Sequence, residues 1–177
     1  MSRMRHPLRA AVPVAALLLC LGAPTPASAQ TPLPEPHPTQ KEAAVKARAS
    51  GTFDVRLNPL DAYGSAADPM LGRMSIDKTF HGDLEATSVG EMLTAMTSVK
   101  GSAGYVAVER VSGTLQGRTG TFMLKHDGTM ARGAQQLVIG VVPDSGTGEL
   151  AGITGTMTID IADGKHSYTL EYTLAAQ

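Results

Sequence analysis

A chain of 177 residues with 15 Lys and Arg against 16 Asp and Glu carries a formal charge of −1. It has no basic excess with which to displace the counterions of nucleic acid, so nucleic acid is not an expected partner. One cysteine and no tryptophan exclude a disulfide framework, a multi-cysteine zinc site and a large aromatic pocket.

Residues 1–29 open with Arg3, Arg5 and Arg9 and no acidic residue, run through an apolar stretch from Ala10 to Leu21, and end in Ala27-Ser28-Ala29 before Gln30. This is the order of a cleavable signal peptide, with cleavage expected after Ala29. The apolar run falls short of the roughly 20 residues of a spanning helix, and Pro13 interrupts it. No membrane association is therefore expected after cleavage. Cys20 follows Leu19 instead of a small residue, which argues against lipid attachment. Cleavage leaves 148 residues and removes the cysteine and three basic residues, so 12 Lys and Arg face 16 Asp and Glu, net −4. The expected product is secreted or periplasmic, and its stability must come from packing.

Residues 30–49 read as a Pro/Ala-rich linker. Pro32, Pro34, Pro36 and Pro38 favour extended polyproline II. Lys41 to Ala49 is Ala-rich, with Glu42 four residues before Lys46, a helix-supporting pair. So short a segment is marginal as an isolated helix, and transient helicity is expected.

The domain spans 50–177. Every Phe and Tyr and all glycines except Gly22 lie in it. Turn signals recur at strand-length intervals at Asn58-Pro59, His81-Gly82-Asp83, Lys100-Gly101, Gln116-Gly117, Arg132-Gly133, Ala151-Gly152 and Asp163-Gly164. They predict an all-β antiparallel meander of about eight strands: 51–57, 70–81, 84–97, 103–116, 118–130, 135–150 with a bend near Pro143, 152–161 and 165–174. The segment Leu115 to Phe122 matches Leu150 to Met157 at an offset of 35 residues. For so short a match, shared turn chemistry is a sufficient account.

A two-residue loop at Gln116-Gly117 sets Val111 opposite Phe122, Glu109 opposite Leu124 and Ala107 opposite His126. One face then carries Tyr105, Ala107, Glu109, Val111, Phe122, Leu124 and His126, and should point inward. A turn at His81-Gly82 or Gly82-Asp83 puts Met74, Ile76, Lys78 and Phe80 on one face with Glu85, Thr87, Val89, Glu91 and Leu93. In the last strand His166, Tyr168, Leu170, Tyr172 and Leu174 alternate with polar residues, the pattern of a half-buried strand. The interior is thus expected to hold Lys78, Glu85, Glu91, Glu109 and His126 among aliphatic side chains, Tyr105, Tyr168 and Tyr172.

Buried carboxylates are costly unless paired, so their recurrence on apolar faces allows two accounts. In one, low dielectric raises a carboxylate pKa toward neutrality and the neighbouring His126 relays a proton to or from Glu109. In the other, Lys78 and Glu85 form a structural ion pair and Glu109 fixes register through backbone or tyrosine contacts. His81, His126 and His166 lie on separate strands without ligand spacing, and no metal or other cofactor is expected. Pro143 to Gly148 is glycine-rich but lacks the lysine and helix of a phosphate-binding loop, and Ser145 has no nucleophile-elbow context. Met92, Met96, Met123 and Met157 read as gap-filling strand residues.

The blocks DKTFHGDLEATSVGE (77–91), YVAVERVSGTLQGRTGTFMLKHDG (105–128) and VVPDSGTGELAGITG (141–155) resemble, in this order, the bacterial family of domains of unknown function 3224. The resemblance implies a small antiparallel β-barrel similar to that of allene oxide cyclase, often a single domain standing alone. It implies no activity, and the cyclase's catalytic residues have no matched positions here. Closure would enclose an interior filled by side chains or holding one small ligand.

Three functions follow as expectations. The first is a binding module for a small, partly apolar molecule, with Lys78, Glu85, Glu91, Tyr105, Glu109, His126, Tyr168 and Tyr172 as candidate ligand-binding residues. The second is an enzyme, either a proton-transfer isomerase or cyclase or a hydrolase using two carboxylates, with Glu109, His126 and Glu91 as candidates. The third is a structural protein or homo-oligomer using the outer positions Val106, Val108 and Met123.

Overall fold

A computed structural model describes residues 44–61 and 70–175; the expected signal peptide and proline spacer lie outside them. The strands are β1 (Ala44–Leu60), β2 (Leu71–Gly82), β3 (Leu84–Met96), β4 (Ala103–Leu115), β5 (Arg118–Ala131), β6 (Ala134–Val141), β7 (Thr147–Gly148), β8 (Thr154–Ala162) and β9 (Lys165–Ala175). Among the described residues there is no helix. Neighbours pair antiparallel in the ring β1-β2-β3-β4-β5-β6-β8-β9, and β9 returns to β1. This is a closed eight-stranded barrel, whose shortest seam joins β6 and β8 through two residue pairs, Ile139 with Met157 and Gly140 with Thr156, so that residues 134–138 of β6 and 158–162 of β8 are paired on one side only. The two-residue β7 adds a short pairing to β5 through Gly120 and Thr121.

Hairpin chemistry fixes much of this. Gln116 and Gly117 both have positive φ, 46° and 85°, as a twist-matched two-residue turn requires. The Arg132-Gly133 and Asp163-Gly164 turns share the geometry. The turn at Ala151-Gly152 differs, because only Gly152 is left-handed. The matching segments at an offset of 35 thus share a glycine and a buried leucine, Leu115 or Leu150, but not a turn type.

Three expectations need correction. β1 begins at Ala44, so residues 44–49 of the expected linker are strand. Ala44 to Ser50 pair with β9 from Ala175 to Thr169, and tertiary pairing overrides the helix preference of the alanines. β1 also runs through Asn58-Pro59, where a turn was expected; Asn58 and Pro59 pair with Ser75 and Met74. The strand expected over 135–150 is broken after Val141. Ser145 accepts from the Met123 amide at 3.0 Å and donates to the Val142 carbonyl at 2.7 Å, and Asp144 adopts positive φ.

One contiguous core cluster holds Phe53, Phe80, Leu84, Val111, Leu115, Phe122, Leu124, Ile139, Leu150, Ile153 and Leu170, all buried. Leu84, Leu115, Leu150 and Ile153 close the end that carries the β2–β3 and β4–β5 turns. Met92 and Met157 fill the interior, whereas Met96 and Met123 are exposed. Truncating a closely packed residue should cost far more than straining a turn. Leu170→Ala is expected to destabilise by about 2–5 kcal/mol. Gly117→Ala, whose Cβ would meet nothing within 4 Å, should cost about 1–2 kcal/mol. Urea denaturation of both variants measures the difference.

Candidate functional site

The β4–β5 register is the expected one: Val111 faces Phe122, Glu109 faces Leu124 and Ala107 faces His126. Tyr105, Ala107, Glu109, Val111, Phe122, Leu124 and His126 accordingly point inward. The β2–β3 register is not the expected one. Phe80 pairs with Ala86, Lys78 with Ser88, Ile76 with Gly90 and Met74 with Met92, so the hairpin holds an odd number of loop residues, centred on Asp83. Gly82 at φ 103° accommodates it. The Asp83 carboxylate accepts from the Ser50 amide at 2.8 Å, and the Asp83 carbonyl accepts from the Gln116 amide at 2.8 Å. Phe80, Lys78 and Ile76 of β2 thereby face the small Ala86, Ser88 and Gly90 of β3, which fills a narrow barrel without overlap.

This parity moves Glu85 and Glu91 out of the interior. Glu85 is exposed and accepts from the Gly82 amide at 2.8 Å. Glu91 is exposed on the outer wall, where Arg73 Nη2 and Nε reach its two carboxylate oxygens at 2.7 and 2.9 Å. Neither is a ligand-binding residue of the interior, the expected Lys78–Glu85 ion pair is absent, and Glu91 cannot join Glu109 in a two-carboxylate hydrolase. Val89 and Leu93 also face outward, beside Val106, Val108 and Met123.

The interior instead holds a polar quartet with one member from each of four adjacent strands: Lys78 on β2, Ser88 on β3, Glu109 on β4 and His126 on β5. All four are at most 4 % exposed. Lys78 Nζ donates to Glu109 Oε1 at 2.6 Å, Ser88 Oγ donates to Oε2 at 2.6 Å, and His126 Nε2 lies 2.8 Å from Oε1. The Lys78 ammonium also sits 5.2 Å from the Phe53 ring centre and 5.7 Å from that of Phe80, where the ring faces attract a cation. Gly90 stands opposite Glu109. A Cβ there would come within 2.3 Å of the Val108 carbonyl oxygen and 2.7 Å of the Glu109 Cα, so only glycine leaves space for that backbone. Ser88 escaped the sequence reading because a lone serine in a strand carries no signal. The small inner row Ala86, Ser88, Gly90, against an outer row with two glutamates, is the pattern that distinguishes the faces.

Burial pushes the Glu109 carboxyl up, but the His126 hydrogen bond, the Lys78 charge and hydrogen bond and the Ser88 hydroxyl outweigh it and hold the pKa at about 2. The shift is opposite to the rise expected for a general acid or base. Burial, with the Glu109 charge second, pushes Tyr105 up.

Above the quartet lies a cavity of about 450 Å³. It opens at the barrel end formed by the β3–β4 loop and the β5–β6 and β8–β9 turns. Val55, Leu57, Ile76, Met92, Ile159 and Ile161 make its walls apolar, while Lys78, His126, Tyr105 and His166 bring polar groups to it. His166 lies with its ring centre 5.0 Å from that of Phe53. Tyr168 and Tyr172 do not border this cavity. Tyr168 accepts from the Leu84 amide at 2.9 Å and donates to the His81 carbonyl at 3.3 Å. Tyr172 donates to Gln116 Oε1 at 2.7 Å. Both tie the closed end together, and burial raises both pKa values. His81 stands outside, near Asp54 and Glu85.

The family model described as "Protein of unknown function (DUF3224)" matches residues 49–172. The chain belongs to this family. A DUF3224 protein of unknown function from Shewanella oneidensis MR-1, with a crystal structure at 1.84 Å resolution, is similar to it at 50% identity and a TM-score of 0.69, covering 75% of this chain and 100% of that one. No curated protein matches. The DUF3224 resemblance read from the three sequence blocks and the barrel it implies are both in place.

Two measurements probe the quartet. Glu109 ionises more readily folded than at its ordinary value of 4.5, so its contribution is complete above that pH and is lost as pH falls through about 2. The stability gap between the native protein and Glu109→Gln should therefore shrink by about 3 kcal/mol between about pH 5 and pH 2, read from urea denaturation across that range. Glu109→Leu alone leaves the Lys78 charge buried without its partner and should cost about 3–5 kcal/mol. Adding Lys78→Met should restore part of that loss, and a double variant less stable than Glu109→Leu would contradict the pairing.

Proposed function

We propose that this DUF3224 barrel binds a small, partly apolar molecule through its open end. The observation that carries this reading is the cavity itself. Its volume of about 450 Å³ falls in the range of small-molecule sites, roughly 300–1,000 Å³, and it combines apolar walls with a few convergent polar groups, as such sites do. Lys78 and His126 form its polar floor and Tyr105 and His166 its polar wall. The quartet holds Lys78 and His126 in place from behind, so a ligand meets groups whose orientation is already set. The leader-like residues 1–29 support a site of action outside the cytoplasm, in the periplasm or the medium.

The binding reading is favoured over catalysis by Glu109. A carboxylate that accepts three hydrogen bonds and is 1 % exposed is a weak base without access to a substrate. Glu109 acts here as the anchor for Lys78 and His126.

Fluorescence of 1-anilinonaphthalene, a neutral dye that brightens in apolar sites, measures occupancy of the cavity. Titration with the native protein should give saturable enhancement. Ile76→Trp, which places an indole in the cavity, should weaken binding about tenfold or more, equivalent to about 1.4 kcal/mol. Equal binding by a correctly folded Ile76→Trp protein would move the site elsewhere and defeat the reading.

A further inference from the structure

The quartet dictates which proton His126 carries. Lys78 Nζ and Ser88 Oγ are donors, and both point at the Glu109 carboxylate. With an ammonium at 2.6 Å that carboxylate is ionised and accepts only. The contact from His126 Nε2 to Oε1 is therefore an N–H donation; Lys78 already matches the Glu109 charge, and an imidazole in its neutral form then keeps its proton on Nε2 and a lone pair on Nδ1. Nδ1 has no hydrogen-bond partner among the described residues, yet no fully buried side-chain nitrogen or oxygen among them lacks one. Nδ1 is thus open to space; His126 also borders a hollow on the outer wall among Glu91, Val106, Val108 and Lys125, but its ring points inward to Glu109, on the side of the interior cavity. Beside it, the Lys78 ammonium has three N–H donors and one described hydrogen bond, to Glu109.

We infer that the cavity selects a ligand carrying an acidic hydroxyl, a phenol or an enol, on an apolar body, with His126 Nδ1 accepting its proton and Lys78 holding the oxygen that results. This deepens the proposed binding function and rests on it. The step balances. The ligand O–H bond breaks with its electron pair staying on oxygen, and an Nδ1–H bond forms. The imidazolium and Lys78 then face the phenolate or enolate and Glu109, two positive against two negative charges. Before transfer the sum is also zero, from Lys78 and Glu109 alone. No net charge enters the barrel at any point, which matters where burying an unpaired ion costs several kcal/mol. A neutral ligand without a donor would leave Nδ1 unsatisfied, and a free carboxylate would bring a charge that neutral His126 does not match. The other titratable groups facing His126 are Tyr105 on its neighbour β4 and His166 on β9 across the cavity.

The test uses 4-nitrophenol, which is yellow only when ionised, with the full chain. Bound to the native protein, its yellow band should persist to lower pH, with a midpoint about 1 pH unit or more below that of the free probe. His126→Gln, which can still donate to Glu109, should move the midpoint back toward the free value, leaving only what Lys78 contributes, and Tyr105→Phe should leave it fully lowered. A bound probe with an unmoved midpoint, or an equal shift in His126→Gln, overturns the inference. So does failure to bind 4-nitrophenol when the anilinonaphthalene probe still binds, and in that case the binding function stands. Loss of both probes removes the binding function as well.

Discussion

The carboxylate of Glu109 is the constraint to which the rest of the interior answers. An ionised group taken fully out of water is tolerated only with a counter-charge and with its lone pairs filled, and here the donors come from β2, β3 and β5 while the carboxylate comes from β4. Each neighbour must be in register for its donor to arrive. A slip of one residue in β3 would turn Ser88 outward and bring Thr87 or Val89 inside, and a slip in β5 would turn His126 to solvent. Hydrophobic packing resists such slips in proportion to area. The quartet resists them through an unpaired buried ion, which is a steeper penalty. Among the four strands it joins, it thus specifies one pairing more sharply than aliphatic contacts do.

The same cluster divides the barrel in two. On one side the interior is filled solid by Phe80, Leu84, Leu115, Phe122, Leu150 and Ile153, and the tyrosines of β9 hydrogen-bond to the turns there. On the other side filling stops, because β3 and β4 offer Thr94, Ala103 and Gly104 where larger side chains would close the lumen. A buried polar layer needs support from a rigid end and leaves its free hydrogen-bonding capacity on the open side. The packed half and the empty half are in that sense two consequences of placing one ion pair midway along the barrel axis.

Much of this was legible in the sequence, and the parts that were not share a cause. The turns at Gln116-Gly117, Arg132-Gly133 and Asp163-Gly164 are local chemistry, and where the turn was certain the register followed, which is why Glu109 and His126 could be brought together from spacing alone. The β2–β3 turn is not local. Its apex, Asp83, is held by the backbones of Ser50 and Gln116, 33 residues away on either side, and that support permits an odd loop that pattern alone does not favour. The error of one residue then exchanged the two faces of β3, sending Glu85 and Glu91 inside and hiding Ser88. The β1 segment from Ala44 to Ala49 was illegible for a similar reason: its alanines favour helix, and only β9 gives them a strand partner.

The misplaced glutamates also show why the apolar content of a face is a weak guide in a small barrel. The outer row of β3 carries Val89 and Leu93, both more than half exposed, and the inner row carries Ala86, Ser88 and Gly90. Hydrophobicity alone points the wrong way. Volume points the right way, because a lumen into which β2 already projects Phe80, Lys78 and Ile76 has no space for a second row of that size. Opposite Phe80, Lys78 and Ile76 of β2 stand Ala86, Ser88 and Gly90 of β3, and in Gly90 this reaches its limit, where the absent side chain is what lets the Glu109 backbone approach. Reading β2 and β3 as a pair, large against small, therefore recovers the face that the alternation of β3 alone loses, and with it the serine that completes the carboxylate's hydrogen bonds.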